Sequence, residues 1–203
     1  MYGKPKNYQL SEAKIISEPE LKKLIKELQN QKDISIKSGK QLHYITDYYL
    51  ILIGSLTGLR VSEVCGLRLS MVQENNLEIV GKRDKKRLVP IGSKCRKALN
   101  EYIEIKKTIF DHPTTKQSYL FLSKRRKAYS RHGINKRLSY WCNRISIKHY
   151  SFHSLRHRFA TYCLNSGFNL AEVQKFLGHS SITVTSQYLH MTQDTVDKVN
   201  KLL

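Results

Sequence analysis

Apolar residues recur every three or four positions along the first third of the chain, and the period names the elements before any chemistry is considered. Leu21, Leu24, Ile25 and Leu28 fall on one face of a helix. Ser17-Glu18-Pro19-Glu20, just before them, fits a capping box with proline in the first turn, so this helix begins near Ser17. Lys32 to Gly39 reads as a polar connector. A more apolar helix is predicted from His43 to Leu56, ending at Thr57-Gly58, and a short one through Val61, Val64 and Leu67. The period then changes. Leu77 and Ile79, then Leu88, Val89 and Ile91, flank the polar run Gly81-Lys82-Arg83-Asp84-Lys85-Lys86, which predicts an antiparallel hairpin with a charged tip. Ser93 to Ile109 returns to helix, Asp111-His112-Pro113 breaks it, and Tyr119 to Leu122 reads as a third short strand. Further helices are expected at about 131–146, 154–165, 169–177, 182–190 and 193–202, with Asn169 and Glu172 fitting another cap. The expected fold is α+β, mainly α, with a small antiparallel sheet.

Charge narrows the function. Of 203 residues, 36 are Lys or Arg against 16 Asp or Glu, a formal charge of +20. Such charge repels itself in a compact fold, so a polyanionic partner is expected, nucleic acid first and an anionic membrane second. The longest apolar stretch, Tyr48 to Leu56, is too short to span a bilayer and is interrupted by Gly54 and Ser55. Met1 to Leu10 is polar, without the apolar core of a secretion signal, and residues 1–10 read as a loose basic arm. Cys65, Cys95, Cys142 and Cys163 have no paired spacing and fit reduced core thiols better than a disulfide frame or a zinc site. The expectation is a cytoplasmic, DNA-associated chain.

Candidate chemistry lies in five short segments. His153 and Arg156 stand three apart in Phe152-His153-Ser154-Leu155-Arg156-His157-Arg158, ahead of an apolar helical run. A helix start offers free amides, so a phosphate there would meet amides, imidazole and guanidinium together; a basic helix end with a capping histidine fits the same residues. Leu177-Gly178-His179-Ser180-Ser181 is a turn after a helix, where a solvated histidine is the ordinary alternative. Arg60, after Thr57-Gly58-Leu59, could equally solvate a helix start. Lys82 could be one of several exposed charges at the hairpin tip, and Tyr188 competes with eleven other tyrosines.

Taken together and in order, Thr57 to Glu63, Gly81 to Ile91, His153 to His157, Leu177 to Ser181 and Tyr188 resemble the boxes of the tyrosine recombinase (phage integrase) family, from about residue 11 onward. The resemblance implies a catalytic domain over residues 11–191 with the family's DNA breaking-rejoining fold. It implies a site-specific recombinase working through a 3′-phosphotyrosyl intermediate, without metal, ATP or other cofactor. Arg60 and Arg156 would clamp the non-bridging oxygens. Tyr188 would be the nucleophile, His153 its base and His179 a donor to a non-bridging oxygen. Lys82 would protonate the departing 5′-oxygen, with Lys85 and Lys86 as competitors. Glu63 reads as structural, a carboxylate orienting its neighbours.

Most members carry a helical DNA-binding domain ahead of the catalytic one. With about 17 residues before the first helix, this chain resembles the short, single-domain members or a fragment. DNA affinity is then expected from the catalytic domain itself: Lys85, Lys86 and Arg87 on the hairpin, Lys124, Arg125, Arg126 and Lys127, and Arg131, Lys136 and Arg137 on the next helix. A solvated charged face is the alternative. Expected partners are double-stranded DNA with inverted-repeat sites and other copies of the chain, weakly associated in solution and tetrameric on paired sites. The apolar stripe Val196, Val199, Leu202 and Leu203 in residues 192–203 fits a helix docking on a neighbouring protomer, with packing in cis against its own domain as the alternative. A DNA-binding regulator that keeps the fold without chemistry, and a type IB topoisomerase-like activity, are the competing readings.

Overall fold

The computed structural model describes residues 15–81, 86–112, 114–123 and 125–178. They form seven α-helices and one two-stranded antiparallel sheet, in the order α1 (Glu18–Ser38), α2 (His43–Thr57), α3 (Val61–Gly66), β1 (Asn76–Val80), β2 (Lys86–Pro90), α4 (Ser93–Thr108), α5 (Arg131–Arg144), α6 (Phe152–Asn165) and α7 (Leu170–Leu177). A single 3-10 turn at Leu69–Met71 links α3 to the hairpin.

Helix α2 is buried from Tyr44 through Thr57 and touches α1, α4, α5 and α6, which explains why its sequence is apolar nearly all round. Its one carboxylate, Asp47, is paired inside. It accepts hydrogen bonds from Arg137 Nε at 2.9 Å and from Trp141 Nε1 at 2.9 Å, both on α5. Arg137, expected on a DNA-facing surface, is therefore turned inward. Helices α2 and α6 approach closely because residue 54 is glycine: a Cβ there would stand 2.2 Å from the Phe152 ring. A second small core of Phe159, Cys163, Phe168, Val173, Phe176 and Leu177 joins α6 to α7.

Two expectations fail. Lys32 to Gly39 is no connector, because α1 continues through Ser38 and stops at Gly39 with φ 68°. No glycine or proline interrupts the run, and Lys32 lies over the Tyr48 and Tyr49 rings while Lys37 and Ser38 face solvent. The apolar period is hidden because the inward residue is Ser35, whose hydroxyl donates to Gln41 O, while Ile34 and Ile36 are exposed. Tyr119 to Leu122 does not join the sheet. Tyr119 makes an isolated bridge to Arg68 and Leu122 one to Ala128, and Leu120 N–H donates to Leu67 O at 2.7 Å. Leu120 and Phe121 are buried with no neighbouring strand to extend among the described residues. Helix α6 starts at Phe152 rather than 154, a shift of one half-turn. The two helices expected after residue 181 lie outside the described residues.

The four cysteines are free thiols; Cys95, Cys142 and Cys163 are buried, and burial pushes Cys95 and Cys163 up to about 12. No described helix is long and apolar enough to cross a membrane.

Candidate active site

Two glycines set the frame. Gly58 ends α2 at φ 61° and Gly178 ends α7 at φ 64°, the left-handed conformation glycine adopts at least cost. A helix end leaves carbonyls without intrahelical partners. Here arginines take them. Arg156, on α6 and only 3% exposed, donates from Nη1 to Gly58 O at 2.9 Å and from Nη2 to Leu177 O at 2.7 Å. Arg60, the residue that caps α3, donates from Nη2 to Gly178 O at 2.8 Å. The two guanidiniums are thus held by consecutive carbonyls at the C-terminal end of one helix.

Glu63 holds the other side. Its side chain is 8% exposed and accepts from Arg60 N–H at 2.8 Å, from Arg60 Nη1 at 3.0 Å, and from Arg87 Nη1 and Nη2 at 2.8 and 2.9 Å. Arg87 also donates from Nε to Phe176 O at 2.9 Å. Burial works to raise the Glu63 carboxyl, but hydrogen bonds and charge from Arg87, together with Arg60, outweigh it and hold the pKa below the ordinary carboxylate value. The reading of Glu63 as an orienting carboxylate agrees with this geometry.

Arg60 and Arg87 share one carboxylate and Arg156 adds a third guanidinium beside them, so the site carries an unbalanced positive charge. Arg156 registers it: burial first, then the neighbouring Arg60, push its pKa down to about 10, which leaves it charged at neutral pH. Arg156 and Arg60 each spend two N–H groups on these protein acceptors, out of the five a guanidinium carries. The remainder suit an oxyanion, whose charge would offset the local excess.

His153 stands in the first turn of α6, exposed, with its ring edge-on to His157 at 4.2 Å between centroids. Desolvation against its neighbours, then the charges of Arg156 and Arg60, lower its pKa from the ordinary histidine value. Both effects favour the neutral ring, the form that accepts a proton. The start of α6 is itself pinned from another element. Ser151 gives no side-chain cap, and Asn135 Oδ1 on α5 accepts from Phe152 N–H at 2.8 Å instead.

Arg60, Arg156 and His153 thus come together, whereas Lys82, His179 and Tyr188 lie outside the described residues, as do Lys85 and Lys124. His179 follows directly on Gly178, whose carbonyl holds Arg60. Lys86 sits in β2 and pairs with Glu78 at 2.8 Å. Arg125, Arg126, Lys127, Arg131 and Lys136 are exposed, the first three on a tight turn in which Arg126 N–H donates to Ser123 O and Ser123 N–H to Lys127 O.

Arg87 departs from its expected place on an open DNA face. Its side chain is 13% exposed and points into the site. Strand register explains this, since Arg87 lies opposite Ile79 and two residues before Val89, both on the buried face. The alternation from Val89 back to Arg87 was visible in the sequence and would have placed it inward. Asn135 carried no such signal, because its partner is a backbone amide on another helix.

Residues 14–194 match the phage integrase family. The tyrosine recombinase XerD of Chlamydia muridarum is 36% identical over 140 residues, 69% of this chain and 46% of that protein. XerC of Corynebacterium glutamicum is 30% identical over 157 residues, 76% of this chain and 50% of that protein. The chain spans about half the length of these relatives. The crystal structure of XerA recombinase superposes with a TM-score of 0.68 at 26% identity, over 100% of this chain and 62% of that one. The integrase of transposon Tn1549, in complex with circular intermediate DNA, shares the fold with a TM-score of 0.65 at 21% identity, over 93% of this chain and 65% of that one. The mainly helical architecture with a small antiparallel sheet is the one these recombinases have. On the match over residues 14–194, the chain belongs to the phage integrase family.

Proposed function

We propose that this chain cleaves and rejoins double-stranded DNA at specific sites, as a tyrosine-type recombinase. The observation that carries this is the pairing of Arg60 and Arg156 on the end of α7, with His153 beside them and His179 next in sequence. A phosphodiester resists attack because its charged oxygens repel a nucleophile, and two fixed guanidiniums neutralise the charge that builds in the transition state. Tyr188 Oη attacks phosphorus and gives its proton to His153. The bond from phosphorus to the tyrosyl oxygen forms as the bond to the 5′-oxygen breaks. Lys82 protonates that departing oxygen, and His179 donates to a non-bridging oxygen. The ester keeps the bond energy, so a second 5′-hydroxyl reseals the strand without ATP.

Residues 11–191 form the catalytic unit in this proposal, and residues 192–203 join protomers, giving a tetramer on two paired inverted-repeat sites. Arg125, Arg126, Arg131 and Lys136, with Lys124, contact the DNA backbone. The test is a nicked suicide duplex built on the sequence that the chain selects from a randomised pool. The wild-type protein gives a covalent adduct on a denaturing gel and Tyr188→Phe does not. Lys82→Ala slows cleavage but recovers on a 5′-bridging phosphorothiolate, because a thiolate leaves without a proton. An adduct that persists in Tyr188→Phe refutes the nucleophile, and relaxation of plasmid lacking paired sites would turn the activity toward a topoisomerase.

A further inference from the structure

We propose that Arg87 is a positioning residue for the arginine clamp, acting through Glu63 and the end of α7 and not by touching DNA; this rests on the recombinase reading above. Arg60 has two determinants of orientation, the Glu63 carboxylate and the Gly178 carbonyl. Arg87 touches both. Its Nη1 and Nη2 bond the two oxygens of Glu63, so Oε1 bridges the two guanidiniums. Its guanidinium also lies against the backbone of residue 178, where a Cβ would stand 2.9 Å from Nε and 3.0 Å from Cζ. Its Nε–H bonds Phe176 O, fixing the same helix end whose next carbonyl, Leu177 O, holds Arg156.

The chemistry fits a planar fork and little else. Three of the five N–H groups are spent on three acceptors in two directions, which an ammonium on a flexible stem reproduces poorly. Arg87 commits three N–H groups to protein acceptors where the Arg60 and Arg156 side chains each commit two, so it has the fewest left for a ligand. Arg87 also belongs to β2, directly beyond the hairpin tip. Through it the base of the hairpin, α3 and the end of α7 become one unit, and a shift in any of them moves Arg60.

Three measurements on the full chain test this, after thermal melts show each variant folded at the assay temperature. Arg87→Gln slows single-turnover cleavage of the selected suicide duplex by about 100-fold, the scale of a clamp displaced by an ångström, with affinity for that duplex kept within about twofold. Arg87→Lys recovers only part of the rate and serves where Arg87→Gln does not fold. The slope of log affinity against log salt on a random-sequence duplex stays at the wild-type value. In an Arg60→Lys background, Arg87→Gln costs no more than about twofold, since its route runs through Arg60. A slope that falls by about 0.9 makes Arg87 a phosphate contact and overturns the assignment. So does an undiminished penalty in the Arg60→Lys background. If the wild-type chain forms no adduct at all, the recombinase reading fails, and the salt slope still decides whether Arg87 meets phosphate.

Discussion

Replacing Glu63 by glutamine removes the negative charge that, among the described residues, faces Arg60, Arg87 and Arg156, while keeping the shape of the side chain. Four hydrogen bonds end on the carboxylate, at 2.8, 3.0, 2.8 and 2.9 Å. A glutamine has a single acceptor oxygen, and its amide would point a donor at an arginine. Breaking one partner out of a buried pair costs about 3–5 kcal/mol. Arg60 is 39% exposed and is partly hydrated, so the lower end, about 3 kcal/mol, applies here. For a chain of this size that lowers Tm by about 6–12 °C.

The pH dependence supplies a second check on the same variant. Glu63 has its folded pKa depressed, so its contribution is fully present above the unfolded carboxylate value and is lost as pH falls through the folded value. Glutamine cannot titrate. The gap in Tm between wild type and Glu63→Gln is therefore widest near neutrality and closes in acid, below about pH 4. Melts followed by circular dichroism across that range measure it. A gap under about 2 °C at neutral pH, or one that stays constant into acid, would refute the view of Glu63 as a charge-balancing hub.

Other outcomes follow from single contacts. Because the His153 pKa is lowered, cleavage retains its rate as pH falls through the ordinary histidine value and declines only below it; a pH–rate profile of His153→Gln lacks that acid limb if the imidazole is the base. Arg125→Ala with Arg126→Ala reduces the log–log salt slope of duplex binding by about 1.8, two phosphate contacts, and an unchanged slope marks the turn as merely solvated. Asn135→Ala removes the only side chain capping the start of α6 among the described residues and lowers stability by about 1 kcal/mol in urea titration, while Asn135→Asp, which keeps the acceptor, does not.

Periodicity alone was enough to place most elements. Burial of apolar faces is a local demand, so the spacing of Leu21, Leu24 and Leu28, or of Leu77 and Ile79, carries it in a few consecutive residues. Glycine stops were equally legible, because a helix end needs a residue at positive φ wherever it occurs, and Gly58 and Gly178 supply one. Local pattern misled where an element's inward residue was polar, as with Ser35 in α1, or where an apolar pair was buried without a strand beside it, as with Leu120 and Phe121. Charge alone did not show that Arg87 and Arg137 reach the carboxylates of Glu63 and Asp47; for Arg87 the strand alternation carried that information, and for Arg137 nothing in the sequence did.

The sequence by itself determined most of the element order, the helix stops at Gly58 and Gly178 and, through its boxes, which arginines and histidine to examine. Only the tertiary structure decided what holds them. Arg60 and its acceptor Gly178 are separated by 118 positions, and Arg156 and Gly58 by 98. Glu63 meets Arg87 across 24 positions and a change from helix to strand. Hydrogen bonds over such separations depend on how α2, α6 and α7 pack, and packing is a property of whole surfaces that no short stretch of residues specifies.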